Sequence, residues 1–156
     1  MLGEHTTLKV QFWDAYGSER FGSLRAAFYR GAHAILVCYD TTNVNTFRSV
    51  ENRWFKELEG MELDDRCLVQ LVGTKCDLDQ SRQVDTEEAR LVAEAHGCSL
   101  TEVSCATPTN VDLVFHSVLD RIREIRANRR QQNNDPTTLD SEEPTIATLN
   151  NNVSCW

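Results

Sequence analysis

"AILVCY", residues 34–39, decides the fold. No polar residue interrupts it. A strand with one wet face alternates apolar and polar residues, whereas an unbroken run of this length reads as a strand covered on both faces, the habit of parallel sheets. Working outward, "CLVQLVG", residues 67–73, reads the same way. Upstream, "LKVQFW", residues 8–13, sets Leu8, Val10 and Phe12 against Lys9 and Gln11, which is strand periodicity. "CSLTEV", residues 98–103, is a fourth strand.

Helical patterns separate these runs. Val44, Phe47, Val50, Trp54 and Leu58 recur at spacings of three and four. Asp85 and Glu88 have capping-box spacing before "TEEARLVAEAHG", and Gly97 is its C-terminal stop. Asn110 precedes a stripe of Val111, Val114, Val118, Ile122 and Ile125. A short helix is expected over residues 24–29. Strand and helix alternate four times, which implies an α/β domain with a mostly parallel sheet, because parallel neighbours need crossovers.

Composition sets limits on function. With 156 residues and 40% apolar content, the chain is sized for one domain and one core. A net charge of −8 argues against non-specific binding of nucleic acid, which needs a basic face, and against simple attraction to anionic lipid. The start "MLGEHTTLKV" lacks the basic and apolar regions of a secretory signal, and Leu2 stands where myristoylation needs glycine. No apolar stretch is long enough to span a bilayer, so the expected place is the cytoplasm. Cys38, Cys67, Cys76, Cys98, Cys105 and Cys155 form no C-x-x-C pair, and His5, His33, His96 and His116 are scattered. Neither a disulfide framework nor a metal centre is expected from them.

Ligands of such folds bind at the C-terminal ends of the strands. Three strand-ending segments carry chemistry: "WDAYG" at residues 13–17, "GTKCDL" at 73–78 and "EVSCAT" at 102–107. Gly17 and Gly22 have the spacing of G-x-x-x-x-G-K-[ST], but Ser23 stands where the phosphate-binding lysine belongs. That stretch is either a phosphate loop that has lost its lysine or a different part of a nucleotide site.

Taken together and in this order, the three segments resemble the DxxG, NKxD and SAK motifs of the Ras superfamily of small GTPases. "SERF" and "FYRGAHAILVCYDTTNVNTF", residues 28–47, resemble its Rab branch. The resemblance covers roughly residues 6–128. It implies a partial Rab-like small GTPase domain over residues 1–128 and a disordered hypervariable tail over residues 129–156, whose composition is polar and proline-interrupted. The implied fold is the mostly parallel sheet of the P-loop GTPase type, missing its first two strands and first helix.

The resemblance also assigns roles. Asp14 would reach Mg²⁺ through water, and the Gly17 N–H would meet the γ-phosphate of GTP. Asp77 would accept two parallel hydrogen bonds from guanine, with the Lys75 stem along the base. Thr74 replaces the family's asparagine and keeps only a hydroxyl. Ser104, Cys105 and Ala106 stand at the SAK motif, where the Cys105 N–H would face guanine O6. Ser18 replaces the glutamine that orients the attacking water, so hydrolysis is expected to be slow or partner-dependent. Arg20, Phe21, Phe28 and Tyr29 correspond to a surface for effectors, exchange factors and escort proteins. A lone Cys155 near the end is a candidate lipidation site, through which the protein would sit peripherally on endomembranes. One lipid chain alone anchors weakly.

Two functional readings follow. One is a guanine-nucleotide switch in vesicle traffic whose nucleotide binding and hydrolysis are impaired, because no G-x-x-x-x-G-K-[ST] occurs in the 156 residues. The other is a non-catalytic module that keeps the second-switch surface. In the family's sheet the absent first strand lies between those matching residues 8–13 and 34–39. Its loss is expected either to leave a slot of unpaired backbone or to force those two strands together. The chain is then a marginal or oligomeric protein, or a fragment of a longer one.

Overall fold

The computed structural model describes residues 10–16, 29, 31–61, 63–64, 67–133 and 145–150. Strand β1 (Gln11–Tyr16) is followed by β2 (Ala34–Asp40), and helix α1 (Val44–Ser49) continues through a π-helical stretch (Val50–Phe55) into α2 (Lys56–Glu59). Strand β3 (Leu68–Thr74), α3 (Thr86–Ala95), β4 (Ser99–Glu102), the long α4 (Val111–Asn133) and β5 (Thr145–Asn150) complete the order. The sheet runs β1-β5-β2-β3-β4, and every ladder in it is parallel.

The apolar runs behave as their pattern requires. In β2, Ala34, Ile35, Leu36, Val37 and Tyr39 are all buried, with successive side chains on opposite faces. Ile35, Val37, Tyr39 and Leu71 meet Phe47, Val50, Trp54, Phe55 and Leu58 from the first helical unit and Ala89 and Ala93 from α3. On the other face, Ala34, Leu36 and Val72 meet Val114, Val118 and Ile122 of α4. The π-helical stretch turns Phe55 inward as well as Trp54, and the Phe55 ring stacks on His96 with centroids 3.9 Å apart.

Helix boundaries follow local chemistry. Asn43 caps α1 by accepting from the Asn45 N–H at 3.1 Å. Asp85 caps α3 by accepting from the Glu87 and Glu88 N–H groups at 2.8 and 3.2 Å. Gly97 follows α3 at φ 65°, a conformation that favours glycine. Of the helix expected over residues 24–29, only Tyr29 lies among the described residues.

The structure departs from the sequence reading at both ends of the chain. The strand expected over residues 8–13 is found at Gln11–Tyr16, so Asp14 sits inside it rather than in a loop. At the other end, the segment from residue 129 on was expected to be a disordered tail, yet α4 runs to Asn133 and Thr145–Asn150 form a strand. That strand lies between β1 and β2, so the slot there is neither left open nor closed by β1 pairing with β2. β5 pairs with Gln11–Tyr16 on one side and with residues 34–38 on the other. Ile146 is fully buried among Ala34, Leu36 and the α4 stripe, a burial that stabilises by about 2 kcal/mol. Tail residues 134–144 and 151–156 lie outside the described residues.

Gly73 shows how closely the site end of the sheet is packed. A Cβ there would stand 2.7 Å from the Tyr39 hydroxyl oxygen, 2.8 Å from its Cζ and 3.1 Å from the Glu102 side chain. Tyr39 is fully buried and cannot swing away. Gly73→Ala is therefore expected to destabilise the chain by about 2 kcal/mol in urea unfolding. Combining it with Tyr39→Phe should recover part of the loss, because the nearest atom is then gone.

Candidate functional site

The C-terminal ends of β2, β3 and β4 carry the loops that the sequence reading singled out. Thr74 closes β3 and is 3% exposed. Its hydroxyl donates to the Tyr39 carbonyl at 3.0 Å, tying β3 to β2. The threonine's polar group is thus engaged in the scaffold. Lys75 follows at φ 62°, in the left-handed region, and its carbonyl accepts from the Thr41 hydroxyl and the Leu78 N–H. This turn carries Asp77 out to the surface. Among the described residues, no hydrogen-bond partner meets the Asp77 carboxylate.

The neighbouring loop is built by Ser104. It is fully buried, and its Oγ accepts from the Ala106 and Thr107 N–H groups at 3.1 and 3.2 Å. Its backbone exchanges two hydrogen bonds with Thr109. The N–H of Cys105 lies between these occupied donors, and among the described residues nothing accepts from it. Asn110, at φ 58°, closes the loop by donating its side-chain amide to the Glu102 carbonyl at 2.9 Å. The two loops are joined directly, since the Cys76 N–H donates to the Val103 carbonyl at 3.1 Å and the Val103 N–H to the Gly73 carbonyl at 2.7 Å. A free carboxylate and a free N–H donor are thus presented from one braced pair of loops.

Two ion pairs support this edge, and the sequence reading found neither. The first joins Lys75 Nζ to the Asp40 carboxylate at 2.7 Å. The Thr42 N–H and hydroxyl also donate to Asp40. Burial raises the Asp40 carboxyl, but the Lys75 and Thr42 bonds outweigh burial and hold its pKa below the ordinary 3.8. In the second, Arg82 grips both oxygens of Glu102 at 2.8 and 3.0 Å. Thr86 and Tyr39 donate to the same carboxylate. The Glu102 hydrogen bond comes first among the causes that push the Arg82 guanidinium upward, so it stays charged. The usable signal was the position of Asp40 and Glu102, each an acid that ends a strand.

Not every expected residue joins this cluster. Asp14 pairs in register with Thr148, which pairs with Leu36, so Asp14 lies level with the middle of β2. It is four residues short of Asp40, or about 13 Å along the strand, and two strand spacings away from β2. The cause is β5, which gives β1 a pairing partner as far as Tyr16. Among the described residues no three metal-ligating side chains come together. Tyr29 corrects its expected role on a partner surface. It is 2% exposed, packs in the core and donates its hydroxyl to Glu57 at 3.3 Å. Gly17, Ser18, Arg20, Phe21, Phe28 and Cys155 lie outside the described residues.

The chain matches other proteins over most of its length. The family described as Ras matches residues 1–124. The Ras-related protein Rab-25 of Bos taurus is 44% identical over 133 residues, covering 85% of this chain and 61% of its own. Rab-11A of Dictyostelium discoideum is 39% identical over 144 residues, covering 92% and 66%. RABA6b of Arabidopsis thaliana is 41% identical over 119 residues, covering 76% and 51%. The chain thus spans 51% to 66% of the length of these relatives.

The Asp40–Lys75 pair yields a pH-dependent test. Because the folded-state pKa of Asp40 is depressed, the stability it contributes is complete above about pH 5 and is lost as pH falls through the folded pKa. Lys75→Met should cost about 1–2 kcal/mol in urea unfolding at pH 6. The difference from the unaltered chain should shrink as pH falls through the folded-state pKa of Asp40 and the carboxylate becomes protonated.

Proposed function

Because the chain belongs to the Ras family, and relatives similar to it carry Rab names, we propose that it is a Rab-like guanine-nucleotide-binding protein of vesicle traffic in which base recognition is built and phosphate binding is weak. One observation carries this reading. The Gly73–Val103 and Cys76–Val103 backbone bonds brace two loops that leave the Asp77 carboxylate and the Cys105 N–H without partners among the described residues. Guanine is complementary to that pair. Its N1–H and exocyclic amine donate to a carboxylate, and its O6 accepts from an N–H. Adenine offers neither arrangement at the same edge. Lys75, with its ammonium anchored on Asp40, is placed to lay its stem against the base.

Ras-family proteins bind GTP or GDP together with Mg²⁺. In this chain the phosphates and the metal have less to bind. Asp14 is held mid-strand, and no G-x-x-x-x-G-K-[ST] cradle is present in the 156 residues. Nucleotide affinity in this reading falls well below that of a site with a complete cradle, and Ser18 makes intrinsic hydrolysis slow. Effectors, exchange factors and escort proteins are the partners of this reading, reached through the segment around Arg20, Phe21 and Phe28. No helix among the described residues is long and apolar enough to cross a membrane. Attachment to endomembranes in this reading goes through Cys155, with the rest of the protein in the cytoplasm.

Nucleotide specificity tests the proposal. Fluorescence competition with the full chain should rank GDP above ADP. Asp77→Asn should weaken GDP by roughly a hundredfold and improve xanthosine diphosphate, whose base presents an acceptor where guanine has its amine. Equal affinity for GDP and ADP, or an Asp77→Asn chain with unchanged GDP binding, would sink it.

A further inference from the structure

Resting on the base-recognition reading, we propose that Glu102 is a positioning residue for guanine discrimination, setting the separation between the Asp77 carboxylate and the Cys105 N–H. Guanine makes that separation matter. Its O6, N1–H and exocyclic amine lie along one edge of a rigid planar ring, so covalent geometry fixes their spacing. A carboxylate from one loop and an N–H from another meet all of them only when the loops are held at a matching distance. Hydrogen bonds weaken steeply once distance or angle departs from the optimum.

Glu102 reaches both loops through different atoms. Its carboxylate accepts from the two Nη atoms of Arg82 at 2.8 and 3.0 Å. Arg82 in turn donates to the Asp79 carboxylate and to the Val84 carbonyl, each at 3.3 Å. Overlapping turn bonds link this segment back to the Asp77 loop. Leu78 N–H donates to the Lys75 carbonyl, Ser81 N–H to Leu78 and Arg82 N–H to Asp79. Holding Arg82 therefore holds the stretch from Lys75 onward. In the other direction, the Glu102 carbonyl accepts from the Asn110 side-chain amide at 2.9 Å. Asn110 ends the loop that starts at the fully buried Ser104 and carries Cys105. The backbone bonds to Val103 fix the near ends of the two loops, and Glu102 fixes the far ends.

The Glu102 side chain is itself tightly placed. Glu102 pairs in register with Gly73, and a Cβ on Gly73 would stand 3.1 Å from its Cγ. The buried Tyr39 donates its hydroxyl to the carboxylate at 3.4 Å, and Thr86 does so at 3.2 and 3.3 Å. The side chains of Arg82 and Glu102 are 20% and 15% exposed, so water screens this pair less than the ion pairs on the outer faces of the helices. The planar fork of arginine matches both carboxylate oxygens, a match that lysine cannot reproduce. Replacing Glu102 or Arg82 leaves the backbone bonds to Val103 in place. The loops then stay folded and lose their fixed spacing.

The experiment compares GDP with inosine diphosphate, which keeps O6 and N1–H but lacks the exocyclic amine, using the full chain. A merely structural loss lowers both affinities by the same factor, so the ratio reports spacing. The unaltered chain should prefer GDP by about tenfold. Glu102→Gln and Arg82→Lys should each reduce that preference to about threefold or less. Asn110→Gly cuts the other attachment and suits the φ of 58° found there, so it gives the same result without backbone strain. Without nucleotide, amide hydrogen exchange at Leu78, Ser81, Ala106 and Thr107 should quicken in these variants and stay unchanged along β2. A full GDP preference kept in Glu102→Gln and Asn110→Gly overturns the inference and leaves the base reading standing. So does unchanged exchange in both loops. Equal affinity for the two nucleotides in the unaltered chain, or none for either, overturns the base reading and this inference with it.

Discussion

An interior position in a β-sheet cannot be left empty. Each strand beside it presents a row of N–H and C=O groups that water no longer reaches, and leaving them unpaired costs more than most side-chain contacts return. In this chain the position between β1 and β2 is filled by Thr145–Asn150. Much of the architecture depends on that occupancy. It attaches β1 to the sheet, it buries Ile146 under α4, and it turns α4 with its connecting segment into a crossover that returns to the sheet parallel to the other strands. Phe12 on β1 also reaches Phe115 of α4 in an edge-to-face contact at 5.2 Å, so the outermost strand is held from the helix layer as well.

What was legible in the sequence follows the distinction between local and non-local causes. β2 and β3 announce themselves because continuous burial needs continuous apolar residues, and the α4 stripe because a helix buries one face at fixed spacing. The cap at Asp85 and the stop at Gly97 are chemistry within a few residues of chain. β5 had no such signal. "TIATLN" holds only two large aliphatic residues, Ile146 and Leu149, within a polar tail. It becomes a strand because two strands distant in sequence need a partner, a requirement no window around residue 147 contains. The shift of β1 to Gln11–Tyr16 has the same origin, because its pairing partner sets its end. Tyr29 was misplaced for a related reason. Phe28 and Arg30 beside it in sequence do not tell which way it faces, while its ring is buried in the cluster that holds Phe47 and Trp54.

The candidate site was readable in its residue types and less so in its supports. Asp77 and the loop at 104–106 are singled out because strand ends in parallel sheets carry function. Their bracing is not, because Arg82 and Glu102 are separated by a helix and a strand and meet only in the fold. Thr74 shows why identity alone misleads. Read as a ligand group, it looks like a poor replacement for an amide. Read in place, its hydroxyl closes the β2–β3 seam at the Tyr39 carbonyl.

These supports divide the site into parts of unequal resilience. The part that carries Asp77 and Cys105 stands on β2, β3 and β4, whose ladders run between elements connected through α1–α2 and α3. It is tied by Arg82–Glu102, Lys75–Asp40 and the two bonds to Val103, none of which involves the tail. The Asp14 side stands on β1, and β1 stands on β5. Conditions that release the tail therefore loosen the Asp14 side first and leave the loops that carry Asp77 and Cys105 in place. A ligand held mainly by Asp77 and Cys105 has little effect on whether the tail is docked.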